Sequence, residues 1–478
     1  MIETTQAYKD AIKNFDRQFA SKIEVYFDGK ESAPVTFTDA NLFDFVLLEE
    51  MSKQSDFPIG LVSSNTFEML LDNSERLFSP NNEESPYYNK LLPNIQVKPF
   101  LGLEVGLDEE EEPIIEYIPL GVFYTEDWIA PGAALHASVM CHDATTVLFN
   151  RSTPQLPVVE NISFYNLFKT IFTAIGLTEE DYIIDERLKE LTAMYGWFEN
   201  VSLLNTLQKL AQGACCSIFI GRDEKVNVVS YFTTFEPSTV LEDSDQLVVS
   251  DMPQKYLDVY SKVIVRYNMP QLTQQEQILQ LSEVNITTDG IVIDRVPFSK
   301  GPIAAIDKII LSNSNIIIED IRYGAWDCSF YLKSIGSTVK TSITVYGRPI
   351  QNVTSSVDST NNELATKIGN KEIVFSPYLL QDKTTALEYA TLLLALTSDP
   401  AAQIHAESIG DPAIELTDTL LLNNSSHAMP NIETVIYKHR IQYNGGLTAS
   451  IEGVKRATRT IKDWTYVSPG LYIQTQRV

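Results

Sequence analysis

The spacing of hydrophobic residues changes repeatedly along the chain, and each change predicts a different element. At the N-terminus, apolar residues recur every three or four positions and predict one face of a helix: Tyr8, Ile12, Phe15 and Phe19. Residues 23–37 then alternate between apolar and polar around Asp28 and Gly29, which predicts a β-hairpin. Strand-like patterns separated by loops continue to Phe123.

Residues 163–232 predict a compact module of two helices and a hairpin. A wide apolar face runs from Phe164 to Ile175, and Gly176 follows where a helix would end. Ser202 is placed to cap a second, leucine-rich helix that we expect to end at Gly213. Residues 217–220 and 226–229 then predict two strands of a hairpin.

Strands return between residues 263 and 346, with the polar stretch 271–280 expected as a loop or weak helix. Thr385 and Glu388 form a capping-box pattern at the start of another helix, which cannot continue past Pro400. Near the C-terminus, residues 444–446 (NGG) lie between two strand patterns and predict a further hairpin.

This order predicts an α+β assembly built around β-barrels or sandwiches, with two helix-and-hairpin modules. The expected boundaries are 1–155 for the N-terminal barrel-like domain and 156–240 for the helix-and-hairpin insert. The second barrel-like domain is expected over 241–375, and the C-terminal helix-and-hairpin module over 376–478.

Composition limits the classes of function. No apolar run approaches the roughly 20 residues of a membrane-spanning helix, so no membrane insertion is expected. The first residues lack the pattern of a signal peptide, and we expect synthesis and retention in a cytoplasm. With 36 basic and 63 acidic residues the net charge is −27, which should repel nucleic acid and anionic lipid.

A search for chemistry predicts no catalytic, cofactor-binding or metal-binding residue, and therefore no enzyme. The four cysteines do not suggest disulfides or a metal site, and we expect buried free thiols. The five histidines have no zinc-site spacing and are expected at the surface or in packing. The sequence has no nucleophile elbow, no phosphate-binding loop and no dinucleotide-binding glycine motif.

Three polar or aromatic groups have competing explanations. The acidic run 108–112 suits a solvated hairpin tip better than a calcium loop, which needs spaced oxygen ligands and a glycine. The aromatic group consists of Tyr87, Tyr88, Trp464, Tyr466 and Tyr472. Packing in a core or interface explains these residues at least as well as sugar binding does. A protein contact fits better than nucleic-acid binding for the basic cluster of Lys455, Arg456, Arg459 and Lys462.

A series of short motifs resembles the tail hub proteins of bacteriophages, in the same order along the chain. They span residues 115–455, and a glycine usually stands at the position of Thr417. The motifs are 120–128 (LGVFYTEDW), 137–143 (ASVMCHD), 174–177 (AIGL), 195–197 (YGW) before 202–213, 261–267 (SKVIVRY), 345–350 (VYGRPI), 410–418 (GDPAIELTD), 445–447 (GGL) and 451–453 (IEG).

The resemblance implies a homotrimer in which each copy gives two barrel-like domains to a pseudo-sixfold ring. Such a baseplate hub joins the sixfold tail tube and distal tail protein to a threefold tip, beside the tape measure protein and receptor-binding or tip proteins. It implies a virion tail tip assembled in the host cytoplasm, with DNA passing through the lumen without specific binding. Relatives often carry a lytic or receptor-binding extension, and we expect another subunit to supply that activity here.

Two other functions remain open at this point. A carbohydrate-binding adhesin would share the strand-rich architecture and would expose an aromatic groove. A cell-wall hydrolase of the tail tip would release wall fragments. The particle could equally be an infectious phage or a phage-derived bacteriocin, with a contractile or a non-contractile tail.

Overall fold

The computed structural model describes residues 1–51, 59–132, 135–231, 237–242, 247–251, 259–399, 403–424, 429–455, 464–468 and 471–474. The architecture is mixed and strand-rich, which confirms the α+β class. The first region has one short helix and eight strands: α1 (Gln6–Ala11), β1 (Phe19–Tyr26), β2 (Val35–Thr38), β3 (Leu42–Glu50), β4 (Thr66–Asp72), β5 (Gln96–Leu107), β6 (Pro113–Pro119), β7 (Phe123–Ile129) and β8 (His136–His142).

The helix–hairpin module follows. It contains the predicted pair of longer helices and the predicted hairpin, together with shorter elements: α2 (Thr145–Phe149), β9 (Val159–Ser163), α3 (Phe164–Ala174), β10 (Tyr182–Ile184), a 3-10 turn (Glu186–Lys189), β11 (Thr192–Gly196), α4 (Leu203–Ala214), β12 (Cys216–Ile220) and β13 (Val226–Ser230). Ser163 caps α3 and Ser202 caps α4 through side-chain oxygens that accept backbone N–H groups.

The remaining chain is mostly strand. The next elements are β14 (Pro237–Glu242), β15 (Leu247–Asp251), β16 (Lys262–Leu272), β17 (Glu276–Ile286), β18 (Ile291–Pro297), β19 (Ile303–Leu311), β20 (Ile316–Tyr323), β21 (Asp327–Ser334), β22 (Val339–Thr360), α5 (Asn362–Ile368) and β23 (Glu372–Phe375). The chain ends with α6 (Lys383–Thr397), β24 (Gln403–Ser408), β25 (Thr419–Asn424), β26 (Met429–Tyr443), β27 (Leu447–Lys455), β28 (Trp464–Ser468) and β29 (Leu471–Gln474).

One large sheet joins the two ends of the sequence. Its main path runs β15-β24-β27-β26-β3-β4-β8-β7-β5-β1-β2, and β26 pairs antiparallel with β3. Phe37 of β2 and Tyr443 of β26 belong to the same buried cluster, although many strands separate them along the path. The sheet therefore curls around its core as a half-barrel. Strands from the predicted first and last units share this sheet, while the four-unit division itself stays a prediction.

A second strand-rich unit surrounds its own core. The 22-residue strand β22 pairs with β16, β17 and β19, and a separate three-stranded sheet has the order β18-β21-β20. Both sheets contribute to one buried cluster that includes Phe330 and Val345. Helix α6 packs against the β16 and β22 ribbon through a different cluster that contains Tyr389. No helix in the described part of the chain is both long and apolar enough to cross a membrane.

Several predicted element boundaries are wrong. The N-terminal helix ends at Ala11, Phe15 is fully exposed, and Phe19 begins β1 opposite Leu103. The sequence prediction made the helix too long because Phe15 of the connecting segment and Phe19 of the following strand happen to fit the helical spacing. The stretch 271–280 contains the end of β16 and the start of β17, because backbone pairing with β22 outweighs its polar composition.

Two helix ends also differ from the sequence prediction. Asp382, not Thr385, caps α6, because its carboxylate accepts the backbone N–H of Thr385. Helix α4 continues through Gly213 to Ala214 and ends with Cys215 in the left-handed region, at φ +50°. The hairpin around residues 444–446 is confirmed by the pairing of β26 with β27.

Candidate functional site: buried junctions of the helix–hairpin module

The first buried junction is centred on Arg222, in the turn between β12 and β13. Its Nε and Nη2 donate to the two carboxylate oxygens of Glu49 on β3, at 2.8 and 2.6 Å. Nη1 donates to the carbonyl of Pro412 at 2.5 Å, and Nη2 also donates to that of Ile414 at 2.8 Å. A planar guanidinium can satisfy several acceptors at fixed angles. One side chain therefore ties the module to the first sheet and to the 410–418 segment.

The 410–418 segment has a local structure that presents those two carbonyls. Asp411 accepts the backbone N–H of Ala413 at 2.9 Å and the hydroxyl of Tyr8 at 3.0 Å. Asp418 accepts the backbone N–H of Glu415 at 2.7 Å. Thr417 has φ +70°, a conformation that favours glycine. This backbone angle explains why a glycine at this position suits the motif that the segment resembles.

The electrostatics of the junction are dominated by the Arg222–Glu49 pair. Burial alone would raise the pKa of Glu49, but the charge and hydrogen bonds of Arg222, with His439, lower that pKa to about 2. His439 is fully buried, and its Nδ1 lies 3.5 Å from Glu49 Oε2. Burial raises the pKa of Asp411, which favours the protonated form of this carboxyl, in contrast to Glu49. The junction therefore holds Glu49 as a carboxylate within the interior.

The second buried junction is centred on Asp327, at the start of β21. Its carboxylate accepts hydrogen bonds from Gln155 Nε2, Asn200 Nδ2 and Arg295 Nε, at 2.8, 3.0 and 3.0 Å. Arg295 Nη1 also donates to the carbonyl of Thr153 at 3.1 Å. Gln155 and Asn200 belong to the module, and Arg295 lies on β18. This carboxylate therefore ties the module to the second strand-rich unit.

Apolar packing continues both junctions. The core of the module includes Ala325, Ile350 and Leu379, which come from outside it. Helix α4 also contacts the segment before α6 very closely, because a Cβ on Gly213 would lie 2.0 Å from the carbonyl oxygen of Tyr378. Polar junctions fix orientation while apolar contacts supply most of the stabilisation. The arrangement can hold the two strand-rich units at a fixed angle.

All four cysteines are buried, as expected, and burial raises the pKa of the thiols of Cys141 and Cys215. His142 pairs with Glu126 at 2.9 Å near the surface, whereas His427 lies outside the described residues. Among the residues that the structure describes, no group of three or more His, Cys, Asp or Glu side chains could hold a metal ion.

Other sequence predictions have mixed outcomes. Residues 108–112 form a hairpin tip, in which Asp108 accepts the N–H groups of Glu110 and Glu112. Tyr87 stacks on Phe27 and Phe78, which confirms packing as its role. Lys455 Nζ lies 3.9 Å from Asp399 Oδ2, and the other residues of the basic cluster lie outside the described residues. The structure also does not describe the side chains of Trp464, Tyr466 and Tyr472.

Sequence reasoning missed the residues that form the junctions. Arg222 lies in the predicted hairpin turn between residues 220 and 226, and Glu49 lies at the end of an apolar strand beside Glu50. Asp327 begins a strand pattern without distinguishing neighbours. The one signal in the sequence is the 410–418 motif, and nothing in that motif indicates that it contacts a buried arginine. Arg222 and Glu49 are buried because they contact each other, and they lie 173 positions apart in the sequence. Local sequence patterns contain no information about a contact over that separation.

The same overall fold occurs in solved tail proteins. The 43 kDa tail protein of prophage MuSo2 from Shewanella oneidensis aligns with a TM-score of 0.52 at 8% identity, over 91% of this chain and 98% of that one. A tail protein from Neisseria meningitidis MC58 aligns with a TM-score of 0.51 at 8% identity, over 92% and 97%. No protein-family model matches the sequence, and no curated protein sequence matches it.

Proposed function

We propose that the chain is a structural, non-enzymatic subunit of a phage-type tail and that it serves as the hub of the tail tip. The observation that carries this proposal is the fold shared with two tail proteins over nearly the whole length of each chain. The ordered series of motifs in residues 115–455 adds independent support for the hub. Fold alone does not define function, so the proposal also rests on how the units are held.

In the proposed assembly, three copies form a ring and each contributes its two strand-rich units. A pseudo-sixfold ring requires the two units of one chain to keep a constant relative orientation. The contacts of Arg222 with Glu49, and of Asp327 with Gln155 and Asn200, supply that constraint at either side of the helix–hairpin module. Buried polar contacts of this kind can specify one geometry even where they add little net stability.

The net charge of −27 supports passage of DNA through the ring. Duplex DNA carries one negative charge per about 1.7 Å, and each basic contact retains it more strongly. A lumen with carboxylates would let the genome slide through. The same surface would serve a bacteriocin-like device equally well, since a device of that kind transports no genome.

The proposed partners follow from this position at the virion tail tip. The ring would contact the distal tail protein and tail tube on its sixfold side. It would contact the tape measure protein and receptor-binding or tip proteins near its threefold side. Wall hydrolysis, where the particle needs it, would come from another subunit.

A complementation experiment tests the structural role. Particles from cells that lack this chain should have no finished tail tips by electron microscopy, and the wild-type chain should restore them. Arg322→Met should restore them equally, because the Arg322–Asp320 pair is exposed. Arg222→Met should restore them poorly. Complete tails without the chain, or release of wall fragments by the purified chain, would contradict the proposal.

A further inference from the structure

A cavity of about 190 Å³ lies where the helix–hairpin module meets the second strand-rich unit and the segment before α6. The cavity belongs to neither buried junction, and the proposed hub role does not use it. Its walls combine aromatic rings, two apolar side chains, three carboxamides and one carboxylate: Trp197, Glu199, Asn268, Pro302, Trp326, Asn352, Tyr378, Leu379 and Gln381.

The aromatic walls are held in place by contacts with one another. The rings of Trp197 and Tyr378 meet edge to face, with centroids 6.2 Å apart and an interplanar angle of 82°. The hydroxyl of Tyr378 donates to the carbonyl of Trp197 at 3.0 Å. Trp326 supplies a third ring from the second strand-rich unit. The site therefore presents rigid aromatic surfaces that need no rearrangement to receive a ligand.

The polar walls include a hydrogen-bond donor that remains available. Asn268 accepts from Thr354 through Oδ1 at 2.7 Å, which leaves its NH₂ group as a donor. Gln381, in contrast, is fixed by two hydrogen bonds with the backbone of Tyr195.

The charge of the walls selects against ionic ligands. Among the described residues, Glu199 is the one charged residue that lines the cavity, and it already pairs with Lys209. The described lining contains no cationic side chain that could hold a phosphate or a carboxylate. A suitable ligand must instead offer hydroxyl groups to the carboxamide groups and C–H faces to the aromatic rings. These requirements describe a neutral sugar.

We propose that this cavity binds a single neutral sugar ring. Pockets for drug-sized molecules occupy about 300–1,000 Å³, so the volume here suits one ring rather than an oligosaccharide chain. Asn352 is exposed and borders the opening, through which the rest of a glycan would extend. Because the walls come from three parts of the chain, a bound sugar also stabilises their junction.

The test uses the full chain and a panel of free sugars. Saturation-transfer NMR is recorded with glucose, galactose, rhamnose, N-acetylglucosamine and N-acetylgalactosamine, with glucuronate as the anionic analogue. At least one neutral sugar should bind, with a Kd of about 1 mM or lower, and glucuronate should bind more weakly. The bound sugar should also raise the melting temperature of the protein.

Matched variants locate the binding. Asn352→Trp places a large ring at the opening and should abolish the signal, whereas Ser356→Trp, at another exposed position of β22, should leave it unchanged. Trp326→Ala removes one aromatic wall of the cavity and should weaken binding several-fold. The proposal is overturned if no neutral sugar binds, if glucuronate binds best, or if Asn352→Trp and Trp326→Ala bind as wild type. None of these results bears on ring formation.

Discussion

Arg222 and Glu49 lie 173 residues apart in the sequence and meet through two charge-assisted hydrogen bonds of 2.8 and 2.6 Å in the interior. Both side chains are 4% exposed. The pair connects the turn of the module hairpin with the end of β3, and the carbonyls of Pro412 and Ile414 complete it. Three regions of the chain therefore depend on one guanidinium group for their mutual orientation.

Arg222→Met should destabilise the protein by about 3–5 kcal/mol, because it leaves the Glu49 carboxylate buried without its cation. Chemical denaturation followed by tryptophan fluorescence measures this loss. The double variant Glu49→Met/Arg222→Met should recover part of the loss, since it removes the unpaired charge but not the two unsatisfied carbonyls. Arg322→Met serves as the exposed control and should leave stability unchanged. Equal effects of Arg222→Met and Arg322→Met would contradict the assignment.

Glu49 also predicts a dependence of stability on pH. Its pKa in the folded protein is about 2, below the ordinary value of 4.5, so its contribution is complete above about pH 4.5 and falls as the pH drops towards 2. The lost contribution is about 3 kcal/mol. Burial raises the pKa of Asp411 and Glu415, so these two carboxyls favour the folded state as the pH falls, opposite to Glu49. Comparing the free energy of unfolding of wild type and Glu49→Gln from about pH 5 to about pH 2 isolates the contribution of Glu49. A parallel decline of stability in both proteins would refute this account.

Asp327→Ala should destabilise the contact between the module and the second strand-rich unit. The substitution removes the acceptor for Gln155, Asn200 and Arg295, and we expect a loss of about 3 kcal/mol. Limited proteolysis should show faster cleavage between these parts. Asp320→Ala, which removes an exposed carboxylate from β20, is the control and should be cleaved at the wild-type rate. Unchanged cleavage of Asp327→Ala would show that the junction is not a constraint.

Gly213→Ala should destabilise the protein even though alanine favours a helix by about 1 kcal/mol over glycine. The added Cβ would lie 2.0 Å from the carbonyl oxygen of Tyr378, so α4 and the segment before α6 must separate. Asn205→Ala, at an exposed position of the same helix, should have little effect on the melting temperature. A higher melting temperature for Gly213→Ala would mean that this close contact is absent in solution.

The sequence predicted local elements better than long-range arrangement. The module's two helices and hairpin were predicted because their apolar faces, serine caps and turn residues are all local signals. The pairing of β26 with β3 was not predicted, because strand patterns do not specify which strand lies beside them. The junctions were missed for the same reason: Arg222 and Asp327 have ordinary neighbours in sequence, and only the fold brings their partners to them.

The position of Thr417 shows what a motif can and cannot supply. The resemblance singled out residues 410–418 as a motif, and the left-handed backbone at Thr417 gives a physical reason for the glycine preference. The motif did not reveal that carbonyls within the segment accept hydrogen bonds from Arg222. Sequence therefore located this part of the site, while the structure supplied its chemistry.

Imaging of isolated tail tips by cryo-electron microscopy, combined with native mass spectrometry of the purified protein, tests the central claim most directly. The account predicts a ring of three copies, each giving two strand-rich units around an open bore. It also predicts the junctions at Arg222 and Asp327 intact in each copy. A single copy per tail tip, or a chain whose strand-rich units line no bore, would contradict it.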